Sequence, residues 1–174
     1  MSILDHDWFP RPLPPQTELG ERSWLHSSYA FHHSCGTVRI GADTGIYSGT
    51  QFELGPDAEV EIGDFCTIVG ALIATNGRVS IGDHTFIAGE VVLADTPFAL
   101  PPVEGRFSGR LSTAPRGGSP DIVVGAGAWI GTRAILLAGA RIGRDAIVGA
   151  GAVVTGEVPS GATAVGNPMR VVSH

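Results

Sequence analysis

Lysine is absent, so all 11 cationic side chains of the 174-residue chain are arginine. Aromatic residues are scarce at 7%, and no dense basic stripe with interleaved aromatics is present, which removes nucleic acid as an expected partner. The two cysteines, Cys35 and Cys66, show no metal-type spacing. They read as small buried hydrophobes, and neither a metal site nor a disulfide framework is expected. No apolar run approaches the ~18 residues of a membrane helix. The opening "MSILDHDWFPRPLPP" carries acids and prolines instead of a basic, apolar leader, so a soluble, cytoplasmic protein with no membrane partner is expected. Neither a G-x-S-x-G elbow nor a G-x-x-x-x-G-K phosphate loop occurs.

The net charge of −6 conceals an asymmetry. Residues 1–105 hold 14 acids against 4 arginines, whereas residues 106–174 hold 3 acids against 7 arginines. The C-terminal third is therefore suited to a small polyanionic ligand, the alternative being a merely uneven surface.

Glycine, by contrast, is abundant, and it follows a rhythm. Val124, Ile130, Leu136, Ile142, Val148 and Val154 recur every six residues, and glycine follows at Gly125, Gly131, Gly143 and Gly149. Four places after each aliphatic stand Ala128, Ala134, Ala140, Ala146, Ala152 and Val158, which read as a second inward slot for small side chains. Earlier sets share the register: Leu19, Leu25, Phe31; Ile40, Ile46, Phe52; Ile62, Ile68, Ala74; Ile81, Ile87, Leu93. A six-residue period fits neither an amphipathic helix nor a simple alternating strand. It fits short strands joined by tight corners, three to a coil, stacked in parallel about 4.8 Å apart. The expected fold is all-β: a single-stranded parallel β-helix of about six triangular coils.

Coil starts at 19, 40, 62, 81, 124 and 142 place every excess residue at the end of a coil. All insertions then leave one corner, collecting His32, His33, Asp57, Asn76 and a long loop, 96–121, after the fourth coil. That loop is rich in proline, glycine and serine and carries Arg106, Arg110 and Arg116. It is expected to cover a ligand or clasp a subunit, anchored by Phe98, Leu100, Phe107 and Leu111. Residues 1–18, with Trp8 and Phe9, are expected as an extended arm, residues 19–174 as the β-helix domain, and 159–174 as its C-terminal segment.

The stretch "VVGAGAWIGTRAILLAGARIGRDAIVGAGAVVTGEVPSGATAVGNPMRVV", residues 123–172, resembles the hexapeptide-repeat acyltransferases, closest to the galactoside, maltose and xenobiotic acetyltransferase group. The resemblance implies a left-handed helix sense, a homotrimer with active sites in clefts between subunits, and acetyl-CoA or another acyl-CoA as co-substrate along the C-terminal coils. It implies cofactor contacts at Thr132, Ala150 and Thr155, and a phosphate contact at Arg170 in "GNPMR". Small residues let pantetheine lie against backbone amides, and arginine offers phosphate planar donors. The lysine that commonly follows the threonine in relatives is Gly156 here.

A second departure concerns the chemistry. The resemblance places a histidine, the general base of the relatives, somewhere from Asp95 to Phe98, and none is there. His84 in "IGDH" is the first substitute, acting across a subunit cleft. Asp95 is the second and the His32/His33 pair the third. The expected activity is acyl transfer to a small hydroxyl- or amine-bearing acceptor. The alternative is a trimeric binding or scaffold protein that has lost the chemistry.

Overall fold

A computed structural model describes residues 12–32, 36–95 and 121–172. Among them run 21 strands in three parallel sheets, with one 3-10 turn (Ser28–Ala30) and no α-helix. Strands are numbered in chain order. Face 1 holds β1 (Thr17–Leu19), β4 (Thr37–Ile40), β7 (Glu59–Ile62), β10 (Arg78–Ile81), β13 (Ile122–Val124), β16 (Arg141–Ile142) and β19 (Glu157–Val158). Face 2 holds β2 (Trp24–Leu25), β5 (Gly45–Ile46), β8 (Thr67–Ile68), β11 (Phe86–Ile87), β14 (Trp129–Ile130), β17 (Ile147–Val148) and β20 (Thr163–Val165), and β21 (Arg170–Val172) closes it by antiparallel pairing with β20. Face 3 holds β3 (Phe31–His32), β6 (Gln51–Leu54), β9 (Leu72–Thr75), β12 (Val92–Ala94), β15 (Ile135–Leu137) and β18 (Val153–Val154). Its six strands are separated by five turns of a parallel β-solenoid.

The hexapeptide aliphatics are the core. Ile46, Phe52, Ile68, Ile87, Leu93, Ile130, Leu136, Val148 and Val154 are all at 0% exposure. Phe31 and Phe52 stack at 4.9 Å between ring centres. One corner, between faces 1 and 2, shows how the coils are spaced. Glycine follows the face-1 aliphatic in six successive coils: Gly20, Gly41, Gly63, Gly82, Gly125 and Gly143. A methyl group on Gly82 would sit 2.5 Å from the amide nitrogen of Ala126 in the next coil, so the coils could not close to strand spacing around any larger residue. Two residues after each of these glycines, the same corner adopts positive φ, including the bulky Phe65 (54°) and His84 (57°).

In the N-terminal coils this corner is filled by polar side chains. The Ser23 hydroxyl donates to Gly41 O at 2.5 Å, Thr44 to Gly63 O at 2.8 Å, the Cys66 thiol to Gly82 O at 3.2 Å and Thr85 to Gly125 O at 3.2 Å. Each satisfies a carbonyl of the next coil, as burial requires. Ala128 and Ala146 take over beyond. Burial pushes the Cys66 thiol above its usual range, the state of an inert structural cysteine.

Two slots differ from the sequence reading. Ile73, not Ala74, is in register with Phe52 and Leu93, because the corner between Ile68 and Ile73 is one residue short and the next corner takes up the difference. Val158 is not a small second slot of the sixth coil. It opens a new coil in register with Ile142. All the surplus residues still leave from the corner between faces 3 and 1. β1 begins at Thr17, inside the segment expected as an arm. Trp8, Phe9, His33, Cys35 and loop residues 96–120, with Phe98, Leu100, Phe107, Leu111 and the three loop arginines, lie outside the described residues, as does the side chain of His32.

Candidate functional site

The outward residues of the three faces divide the chemistry. On face 1 most are charged, Ser80 and Val123 excepted: Arg39 lies 3.5 Å from Glu18 and 3.4 Å from Glu61, and Arg78 also pairs with Glu61. On face 2 the residue before each inward aliphatic is often large and apolar. Phe86, Trp129 and Ile147 stand in one row by strand register and are 41%, 55% and 38% exposed. Phe86 and Trp129 meet edge to face at 6.2 Å.

Beside that row runs the corner between faces 2 and 3. His26, Tyr47, Val69, Ala88, Gly131 and Gly149 occupy equivalent positions there, each donating its amide to the next coil at 2.7–3.0 Å. The aromatic row and this column enclose a groove of about 600 Å³, reaching from Val69 to Ala150. Gly131 and Gly149 keep its wall low, and among the described residues no charged one lines it. Such a channel suits an uncharged, largely apolar chain of atoms.

Thr132 and Ala150 both line the groove and are exposed. Arg170 is placed at its C-terminal end: it pairs with Val165, whose Cγ1 would be 3.0 Å from a methyl group on Gly149. Thr155 is not brought to the groove. It follows β18 at the next corner. Arg133, next to Thr132, is held to Glu90 at 2.7 Å, and that hydrogen bond keeps the Glu90 carboxyl below its usual range. Arg22 is paired with Asp43 at 2.5 Å. Arg141, Arg144 and Arg170 have no ion pair among the described residues. Among the described residues the unpaired positive charge is therefore C-terminal.

His84 lies at the other edge of face 2, between faces 1 and 2. It is exposed, and its ring is stacked on Phe65 at 5.0 Å. Asp95, the residue after β12, is committed to a turn of the preceding coil. Its carboxylate accepts from Thr75 Oγ1 at 2.6 Å and from the amides of Asn76 and Gly77 at 3.0 Å each. Among the described residues no group of three or more His, Cys, Asp or Glu could hold a metal.

The aromatic row escaped the sequence reading, yet its signal was present. Residues preceding the face-1 aliphatics include Arg39, Glu61, Ser80 and Arg141, whereas those preceding the face-2 aliphatics include Trp24, Phe86, Trp129 and Ile147. Comparing outward positions face by face would have found it.

The bacterial transferase hexapeptide family (six repeats) matches residues 121–156. No curated protein matches the chain. Among solved structures, the polySia-specific acetyltransferase NeuO is similar at 26% identity and a TM-score of 0.63, over 82% of this chain and 63% of that one. Galactoside acetyltransferase in complex with coenzyme A is similar at 25% identity and a TM-score of 0.54, over 91% of this chain and 64% of that one. The chain thus spans less than two thirds of either protein. A variant of AntD, an N-acyltransferase from Bacillus cereus in complex with dTDP and coenzyme A, shares the fold at 17% identity and a TM-score of 0.68, over 88% of this chain and 84% of that one. The chain carries the hexapeptide repeat of the bacterial transferases, and the resemblance read in residues 123–172 is to the hexapeptide-repeat acetyltransferases.

Proposed function

We propose that the protein is an acyl-CoA-dependent O- or N-acyltransferase, acting in the cytoplasm as a homotrimer of left-handed β-helices. An acetyl group passes to a small hydroxyl- or amine-bearing acceptor in the cleft between subunits. One observation carries this reading: the uncharged groove lined by Thr132 and Ala150 leads to Arg170, in the region where arginines stand unpaired. Pantetheine fits the groove and phosphates fit the arginine. Thr155, one corner away, would touch the co-substrate only from outside the groove.

In the reaction the acceptor oxygen or nitrogen attacks the thioester carbonyl as its proton passes to a base, the tetrahedral intermediate collapses with cleavage of the C–S bond, and the base returns the proton to the departing CoA sulfur. Holding the two reactants together supplies much of the rate, and the oxyanion is steadied by backbone amides outside the ladder, since those of Gly131 and Gly149 are already donated to the next coil. His84 is the first candidate for the base. Its ring has no hydrogen-bond partner among the described residues, and it must reach a neighbouring subunit's groove. Asp95 is second, since its lone pairs are already engaged by Thr75, Asn76 and Gly77.

Calorimetry with CoA, alongside the solution mass, tests the reading. A trimer that binds CoA in the micromolar range is expected; no saturation at millimolar CoA would favour the scaffold alternative. The second reading, a trimeric binding or scaffold protein, draws on one observation: among the described residues no histidine lines the groove. Activity separates the bases. His84→Ala is expected to lower turnover at least about tenfold with an unchanged melting temperature. Asp95→Asn is expected to lower both, because an amide offers one acceptor oxygen where the carboxylate offers two. Full turnover in both variants would send the search to His32 and His33.

A further inference from the structure

The column that walls the groove tapers. From the N-terminal coils upward it reads His26, Tyr47, Val69, Ala88, Gly131 and Gly149, each one strand spacing above the last. The groove opens where these side chains are small, and Val69 is the lowest of them to line it. One coil beneath, the Tyr47 amide donates to Ile68 O at 2.8 Å, which sets its backbone directly under the groove's end.

The Tyr47 ring also crosses from one wall to the other. In the outward row of face 2, where the neighbouring coils carry Trp24, Thr67, Phe86 and Trp129, the second coil has Gly45. A methyl group on Gly45 would lie 2.6 Å from Tyr47 Cε2, so the ring lies over that glycine and spans the column and the row, which stand apart along the groove. On its far side is a separate cavity of about 360 Å³, lined by Tyr47 together with Ser48 and Gln51. Tyr47 is thus a partition between two spaces, and without its ring they would run together.

We infer that Tyr47 is a specificity-determining residue: it stops the groove and sets the longest acyl group of the donor at about four carbons, so that butyryl is accepted as well as acetyl and hexanoyl is refused. The inference rests on the acyltransferase reading and narrows its donor. Arg170, at the phosphate end, pairs with Val165, which stands one coil above Gly149 in the same column. About 24 Å of stacked coils then separates that end from Tyr47. A pantetheine arm of about 13 bonds reaches about 16 Å when extended. Contact with the ring takes about 4 Å of the remainder, and about 4 Å is left beyond the sulfur for the acyl chain. An acetyl group leaves part of that space empty, whereas a butyryl group fills it. The lining there is Val69, Phe86 and Ala88, which favours methylene groups over hydroxyl or charge.

Calorimetry on the full chain with CoA and with its acetyl, butyryl and hexanoyl thioesters tests the inference. In the wild type, butyryl-CoA is expected to bind about tenfold tighter than acetyl-CoA, the gain from two buried methylenes, and hexanoyl-CoA about tenfold weaker than butyryl-CoA. Tyr47→Ala removes a ring that is 46% exposed, so the melting temperature is expected to hold while hexanoyl-CoA comes to bind at least as tightly as butyryl-CoA. Val69→Phe raises the stop by one coil and is expected to reverse the order, with acetyl-CoA the tighter of the two short thioesters. Butyryl-CoA weaker than acetyl-CoA in the wild type, hexanoyl-CoA as tight as butyryl-CoA there, or a fall at hexanoyl that Tyr47→Ala leaves in place would each overturn the inference, and CoA binding in the same samples would leave the acyltransferase reading standing. Absence of CoA binding at millimolar concentration would overturn both.

Discussion

Gly125→Ala is expected to lower the melting temperature by roughly 10 °C, whereas Gly156→Ala is expected to leave it unchanged or raise it by about 2 °C. The two differ in what a methyl group meets. At Gly125 it would lie 2.7 Å from the amide nitrogen of Arg144 and 2.8 Å from the carbonyl carbon of Gly143, both backbone atoms of the next coil. Neither can rotate away, so the coils must separate and the parallel ladder beside them must stretch. Overpacking against fixed atoms costs about 3 kcal/mol, which for a domain of this size corresponds to the stated fall. At Gly156 nothing lies within 4 Å, and its φ is not in the left-handed region. There the substitution acts mainly on the unfolded chain, which loses freedom it no longer has to surrender. Melting followed by circular dichroism compares them. If both glycines tolerated alanine equally, close stacking at the corner would not be what the repeated glycine serves.

The same corner explains how much of the fold was legible. A coil has to turn three times within about 18 residues, so its inward aliphatics and corner glycines are nearly forced, and they appear as a six-beat rhythm in the chain. Where the rhythm slips, the reading slipped with it. Between Ile68 and Ile73 one corner is tightened by a residue, and periodicity alone assigned the slot to Ala74, an equally buried neighbour at 3% exposure. Only strand pairing with Phe52 and Leu93 decides between them. Val158 went to the wrong coil for a similar reason: the step from Val154 is four residues, the spacing that elsewhere leads to a small corner residue.

The site was legible where it depends on this scaffold and obscure where it depends on side-chain partners. Thr132 and Ala150 come together because each lies two residues after an inward face-2 aliphatic, Ile130 and Val148. Thr155 follows the face-3 residue Val154, so the same arithmetic would have put it at another corner. The role of Asp95 had no such signature. Its partners are a threonine hydroxyl and two amides in the turn at Thr75–Gly77, 18 to 20 residues away, and no spacing rule distinguishes an aspartate that caps a turn from one that accepts a substrate's proton. His84 occupies a recurrent corner that takes positive φ in several coils, held elsewhere by Arg22, Asp43, Phe65 and Asp145, so a catalytic duty has been sought at a position the fold itself demands.

Arg170→Ala is expected to weaken CoA binding about thirtyfold, the loss of one or two charge-assisted hydrogen bonds to phosphate. The choice of this arginine follows from a comparison of charges along the solenoid. Arg22, Arg39, Arg78 and Arg133 are each matched by a carboxylate, so an incoming anion would have to displace a partner already in place. Arg170 has no such competitor among the described residues, and β21 folds back antiparallel to β20 so that its backbone lies beside Val165, at the end of the groove that holds Thr132 and Ala150. Arg78→Ala, which removes a paired cation on face 1, is the matched control and is expected to leave CoA affinity within about twofold. Ionic strength gives a second reading: salt is expected to weaken the wild type more than Arg170→Ala, because the variant has lost a charge that salt screens. If calorimetry found equal affinities in Arg170→Ala and the wild type, the phosphates would have to sit elsewhere, and Arg141 and Arg144 would be the remaining unpaired cations among the described residues with which to hold them.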